Sequence, residues 1–374
     1  KVKVTHNGKS KHFRTVWFDK TKNHIRLIEQ RLLPHQFKII STKSYQETSQ
    51  AIKDMVVRGA GAIGATAAYG LAQGAQIFQG NGIKTFEKHI AKVFQTLASA
   101  RPTAIDPTNA MLSMLSRMHG PSVANRKLQA LDLAEEFAED DVTHCQKIGH
   151  IGEQLIQNGT RVLTHCNAGW LAFVDYGSAT APMYSAHEKN KKFHVFCDET
   201  RPRSQGAALT AWELSQQGIS HDIIADNASG HLMQRGEIDL VIVGSDRTLG
   251  RTGEVTNKIG TYTKAVLAKR HGIPFYVAIP LSTIDWKINS GLKIPIEERA
   301  SEEVLRAWGV SDSGKRLSIS IANPSSTARN PSFDVTPPEL ITGIITPVGI
   351  IKPKKLWENR LKLGYDNIKN NLCS

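Results

Sequence analysis

From Asn158-Gly159 onward the chain repeats one rhythm: a short run of consecutive apolar residues, a polar loop, then apolar positions at helical spacing. Unbroken apolar runs of four or five residues suit strands buried on both faces, and their alternation with helices predicts a parallel sheet covered on both sides. Strands are expected at 161–164, 194–197, 222–224, 240–243 and 275–278, with helices over 208–217 and 262–271. A last strand is expected at 348–351, and the Pro-, Ser- and Asn-rich stretch 322–338 reads as a loop. Two strands end alike. Val162-Leu163-Thr164 passes into His165-Cys166-Asn167-Ala168-Gly169, and Leu240-Val241-Ile242-Val243-Gly244 into Ser245-Asp246-Arg247. Loops at the carboxyl ends of parallel strands are where such sheets bind ligands, so Cys166 and Asp246 are candidates for one pocket.

Before residue 158 the pattern differs. Short apolar runs at 15–18, 25–28 and 37–40 predict a small antiparallel sheet. Ala51, Ile52, Met55 and Val56 then fall at helical spacing, Val57 to Gly64 interrupts them, and the helix resumes through Leu71. Further helices are expected over 87–99, 109–118 and 126–155. The fold class is therefore α/β, in two parts. Residues 1–135 form a smaller N-terminal lobe of a short antiparallel sheet plus helices, and 136–374 form the parallel-sheet domain, with the boundary inside the last long helix.

Composition narrows the function. Of 374 residues 40% are apolar, the level of an ordinary globular protein, and no run reaches 18 apolar residues, so no membrane span is expected. The opening Lys1-Val2-Lys3-Val4-Thr5-His6 lacks the apolar core of a signal peptide. The net charge is +13, but the basic residues are dispersed, with Lys352, Lys354 and Lys355 the densest group. Aromatics are 7%, with no stacking-rich basic motif, which argues against nucleic acid and for a small phosphorylated partner. Cys145, Cys166, Cys197 and Cys373 form no C-x-x-C pair, so free thiols in a reducing cytoplasm are expected and a zinc knuckle is not.

Four motifs carry candidate chemistry. Arg58-Gly59-Ala60-Gly61-Ala62-Ile63-Gly64 suits an anion site at a helix start, or close helix packing through small residues. Arg101-Pro102-Thr103 follows a helix end, where an arginine is ordinarily a solvated charge. Asp198-Glu199-Thr200-Arg201-Pro202-Arg203-Ser204-Gln205-Gly206 reads as a ligand loop or as a cluster of caps and ion pairs. Asn257-Lys258, leading through Gly260-Thr261 into a helix, suits a phosphate or sugar hydroxyls. Cys166 taken alone fits a small buried residue as well as a nucleophile. His165 points the other way on an extended backbone, so adjacency makes no Cys-His pair.

These segments, with Gln205-Gly206-Ala207, Leu209-Thr210-Ala211-Trp212-Glu213-Leu214, Asp226-Asn227 and Pro280-Leu281-Ser282-Thr283-Ile284-Asp285, run in order over roughly residues 55–300. Together they resemble the methylthioribose-1-phosphate isomerases, which belong with the regulatory α, β and δ subunits of eukaryotic translation initiation factor 2B. The resemblance implies a Rossmann-like C-terminal domain, a cytoplasmic homodimer, and conversion of 5-methylthioribose 1-phosphate to the ribulose 1-phosphate in methionine salvage. It marks Cys166 and Asp246 as the catalytic pair. It marks Arg58, Gly59, Ala60, Arg101, Gln205, Asn257 and Lys258 as substrate binders. The anomeric oxygen of such a substrate is blocked, so the ring must be opened by the enzyme. Asp246 in its acid form would protonate the ring oxygen; Cys166 would take the C2 proton, or stabilise a hydride shift. No step calls for a metal or a nicotinamide, so no cofactor is expected.

The sequence departs from the family at several points. Gly61 stands where a proline is usual, Ser245 where alanine is, and Glu254 and Thr256 where Asp and Ala are. Ala104-Ile105-Asp106-Pro107-Thr108-Asn109 replaces an apolar stretch with Trp, and Trp170-Leu171-Ala172-Phe173 is bulkier than usual. These changes leave open another 5-substituted ribose 1-phosphate, such as the 5-deoxy sugar, and a non-catalytic sugar-phosphate-binding subunit. Retention of both Cys166 and Asp246 favours the enzyme.

Overall fold

The computed structural model describes residues 3–6, 8–101 and 105–365. Of the residues singled out above, Lys1, Val2, Pro102, Thr103, Ala104 and Cys373 lie outside that range. At its centre is a seven-stranded sheet in the order Gly349–Ile351, Gly343–Thr346, Phe275–Ala278, Leu240–Val243, Arg161–Thr164, His194–Asp198, His221–Ile224. Six strands are parallel; Gly349–Ile351 closes the edge as an antiparallel hairpin. The chain enters at Arg161–Thr164, moves outward through two strands, then crosses back to Leu240–Val243 on the other side of its starting strand. The order therefore reverses between these two neighbours, where Val162 faces Leu240 and Leu163 faces Val241. A crevice opens at the carboxyl ends of strands at such a reversal. All four residues of Leu240–Val243 are buried, as its unbroken apolar run requires.

The N-terminal part carries the expected antiparallel sheet, Val16–Asp19, His24–Ile28 and Ile39–Thr42, packed with helices. The helix Ala60–Gln76 is central to it. Every residue from Ala60 to Ala75 is buried, which suits a helix surrounded on all sides by others. The helix Val123–Gly152 runs unbroken through residue 135. Its Ala130, Leu133, Ala134 and Ala138 join the N-terminal core, while Ile148 joins the core against the parallel sheet. Among the described residues no helix is long and apolar enough to cross a membrane.

The stretch 322–338 is not all loop. Phe333–Thr336 is a strand of a second sheet, ordered Ile284–Asp285, Arg247–Leu249, Val255–Lys258, Phe333–Thr336. These strands have two to four residues and take their stability from distant partners, such as Val255 opposite Thr336. Asn257 and Lys258 therefore sit at the end of a strand.

Gly61, the proline replacement, faces away from the crevice: a Cβ there would collide with Asp141 and Phe173. Asp141 is buried, accepts a hydrogen bond from the Val174 amide at 2.7 Å, and burial pushes its carboxyl up to about 7. An acid whose folded pKa lies above its unfolded one contributes stability that is complete below about pH 4 and is lost as pH rises through about 7. Asp141→Asn should therefore flatten the fall in melting temperature between pH 5 and pH 8. A variant that falls as steeply as the wild type would contradict this.

Candidate active site

The two candidate catalytic residues leave neighbouring strands on either side of the reversal. Cys166 lies two residues beyond Arg161–Thr164, with its backbone in the left-handed region at φ 65°. That turn is held from both sides. The Cys166 amide donates to Thr200 Oγ1 at 2.9 Å, and Thr210 Oγ1 donates to the Cys166 carbonyl at 2.8 Å. Beneath the loop the buried Glu213 accepts from Asn167 Nδ2, from the amides of Trp170 and Leu171, and from the Tyr184 hydroxyl. One carboxylate thus fixes the whole run after the cysteine. Burial raises the Glu213 pKa while these donors draw it back. Asp246 follows Leu240–Val243 and is half-buried; its amide donates to the Thr256 carbonyl at 3.0 Å, tying it to the second sheet.

Arg58 spans the two parts of the chain. Its guanidinium donates to Asn167 Oδ1 at 2.7 Å and to the Asn167 carbonyl at 2.9 Å, beside Cys166. Gly59 then caps the helix Ala60–Gln76 at φ 90°, and a Cβ there would run into Ala172. Both facts demand glycine. The first amides of this helix have no partner within it and form an anion-favouring end.

The charges converge. Burial raises the Asp246 pKa, favouring the acid; Lys258, Arg58 and Arg101 oppose this, and Glu297 adds to it. Burial lowers the Lys258 pKa, and its charge interacts with Cys166, Asp246, Arg58 and Arg299. Burial likewise lowers the Arg101 pKa against the pull of Glu297, 3.8 Å away. Gly59, Ala60, Arg101 and Asp246 line a cavity of about 40 Å³. Arg58 and Gln205 line a second, open cavity of about 680 Å³, bounded by Arg201, Arg203 and the hairpin bearing Trp308. Cys166 and Lys258 border neither cavity; Lys258 is what couples the cysteine to Asp246. Asn257 is buried and donates to Thr261 Oγ1 at 3.0 Å, a contact that shapes the following helix start.

Several buried polar atoms around this crevice have no hydrogen-bond partner: Arg101 Nε, Gln205 Oε1, Thr256 Oγ1, Asp106 Oδ1 and Glu297 Oε2. Buried polar atoms are nearly always paired, so these five are free to hydrogen-bond with a bound molecule. Asp106 and Glu297 were not anticipated as site residues. Ile294-Pro295-Ile296-Glu297 looks like any surface loop in the sequence. His165, Asp198 and Asp226 also converge, within 4.8 Å. Each is engaged by the protein itself. His165 Nδ1 meets Asp198 at 2.8 Å and its Nε2 donates to the Ile259 carbonyl; Lys264 Nζ lies 3.3 Å from Asp198; Asp226 accepts from the amides of Thr200 and Arg201. This cluster braces the loops.

A profile of the initiation factor 2 subunit family matches residues 56–353. The methylthioribose-1-phosphate isomerase of Sinorhizobium medicae is 46% identical over 91% of this chain and 94% of its own length. The chain belongs to the methylthioribose-1-phosphate isomerase family, within the initiation factor 2 subunit family. The homologue from Cereibacter sphaeroides, of the same name, is 47% identical over 90% of this chain and 93% of its own. Among solved structures, 5-methylthioribose 1-phosphate isomerase from Pyrococcus horikoshii superposes with a TM-score of 0.82 at 39% identity, covering 95% of this chain and 96% of the other. A protein described as translation initiation factor 2B, subunit delta, from A. fulgidus gives 0.78, also at 39% identity, over 95% of this chain and all of that one. Family membership agrees with the ordered motifs read from the sequence.

Proposed function

We propose that this chain is an aldose–ketose isomerase that converts 5-methylthioribose 1-phosphate to 5-methylthioribulose 1-phosphate, a step of methionine salvage. The observation that carries the reading is that Cys166 and Asp246 follow adjoining strands at the sheet reversal, in a family whose relatives bear that enzyme's name. Arg58, Arg101, Lys258 and the amides at Gly59-Ala60 supply the positive end for the phosphate, and Gln205 a further polar contact. Asp246, half-buried and with its pKa raised, gives the proton of its acid form to the ring oxygen as the bond from that oxygen to C1 breaks. Cys166 takes the proton from C2, leaving an enol. The Cys166 thiol exchanges its proton with solvent and protonates C1, and the C2 hydroxyl proton restores Asp246. Lys258 offsets negative charge developing between the two. The reading extends to a homodimer in the cytoplasm.

The test is ketose formation followed by NMR in heavy water, with the 1-phosphates of 5-methylthioribose, 5-deoxyribose and ribose and no added cofactor. Turnover of the methylthio sugar with deuterium entering C1 is expected. Binding of the sugars without any ketose would overturn the isomerase reading in favour of a sensing subunit. Ketose formed with full retention of the C2 hydrogen at C1 would replace the proton route by a hydride shift.

A further inference from the structure

Asp106 lies in the first turn of the helix Ile105–Leu115, yet it is only 2% exposed. Its side chain borders the same small cavity as Arg101, Asp246 and Thr256. Arg247 lines it too, and the rest of the lining, including Ile63, Ile294 and Phe333, is apolar. The Ser282 hydroxyl hydrogen-bonds the carboxyl, and Oδ1 is left without a partner. An acid in a first helical turn ordinarily complements the helix dipole from the surface or takes a capping amide. Neither role calls for a buried, unpartnered oxygen on a residue that lines a cavity. Leaving such an oxygen unpaired is costly, unless a bound molecule completes it.

We propose that Asp106 is a further substrate-contacting residue, whose Oδ1 hydrogen-bonds a hydroxyl of the bound pentose next to Asp246. The proposal rests on the isomerase reading and names what the pocket reads in the sugar. Burial pushes the Asp106 carboxyl up to about 7, so near neutral pH it both accepts and donates. Asp246 and Asp141 face it as like charges and Arg247 as the opposing one. The residue falls in the run 104–109, where the family's apolar stretch is replaced, so this chain adds a carboxyl to the cavity wall beside Arg101, Asp246 and Arg247. The C2 hydroxyl is itself converted in the reaction, so the hydroxyls left for recognition near the ring oxygen are the one on C3 and, where the sugar has it, the one on C5.

The experiment is a cycle between protein and sugar. Wild type, Asp106→Ala and Asp106→Asn, all full-length, are given two pairs of 1-phosphates: 5-methylthioribose with its 3-deoxy analogue, and ribose with 5-deoxyribose. Binding is measured by calorimetry and turnover by NMR. In one of the two pairs, Asp106→Ala should lose about 10- to 100-fold in affinity and kcat/KM on the sugar bearing the hydroxyl, and no more than about threefold on the one lacking it. Asp106→Asn, which keeps shape and a hydrogen-bonding oxygen, should stay within about fivefold of wild type. The pair that responds identifies the hydroxyl. An equal loss on both members of both pairs overturns the proposal and makes Asp106 a purely structural acid. Unchanged binding throughout also overturns it. If wild type binds these sugars without converting them, the isomerase reading fails while the binding cycle still decides the contact. Melting temperatures of both variants separate misfolding from lost recognition.

Discussion

Cys166→Ser should lower kcat by about a thousandfold or more while leaving substrate affinity within a few-fold of wild type. The substitution keeps the size of the side chain and the two backbone contacts that hold the residue at φ 65°, from the Cys166 amide to Thr200 and from Thr210 to the Cys166 carbonyl. The loop should therefore stay where Glu213 and Arg58 hold it. What is lost is the sulfur. A serine hydroxyl is a far weaker acid than a thiol, so its conjugate base is not available near neutral pH to take a proton from carbon. Steady-state kinetics paired with calorimetric binding separate the two effects. Retention of a tenth or more of wild-type kcat would remove Cys166 from the chemistry.

Asp246→Asn should cost about 10²- to 10⁴-fold in kcat, again with binding largely kept. Asparagine preserves the outline but has no proton to give to the ring oxygen. The pH profile supplies the sharper readout. Burial raises the Asp246 pKa above its ordinary value near 3.8, so the acid form persists to higher pH than for a solvated carboxyl. Because the acid form is the active one, wild-type kcat/KM should decline as pH rises through that raised value, and the decline should vanish in the residual activity of the variant. Lys258, Arg58 and Arg101 limit how far the pKa climbs. Removing the Lys258 charge should therefore move the alkaline limb to higher pH. A variant profile with the same limb as wild type would assign that titration to another group.

The parallel sheet was legible in the sequence because its strands are buried on both faces. Leu240–Val243 and Phe275–Ala278 could be bounded to the residue from apolar runs, and the first ends where its run ends. Cys166 and Asp246 followed from the same logic, since polar residues directly after such a run must lie at a strand's carboxyl end. The second sheet was not legible. Arg247–Leu249 and Ile284–Asp285 are too short to show alternation, and Phe333–Thr336 hides behind Asn330-Pro331-Ser332. These strands exist because distant segments pair, a cause no local window contains. Asp106 was hidden for a related reason: its importance lies in a cavity assembled from six separate stretches of chain. The family departures divided the same way. Thr256 and Asp106 border the crevice, whereas Gly61 faces Asp141, and Trp170 is fully buried with its ring stacked on Trp212.

Because the order reversal sets the thiol and the carboxyl just beyond two adjoining strands of one continuous hydrogen-bonded plank, that plank is what fixes where their loops begin. Arg58, Gly59, Arg101 and Asp106 approach from the helical side, on helix ends. Selection can retune which sugar is welcomed by altering those ends one at a time, while the reacting atoms keep their separation. A lineage built this way can wander among related pentoses, or abandon turnover and keep only recognition, without redesigning its framework.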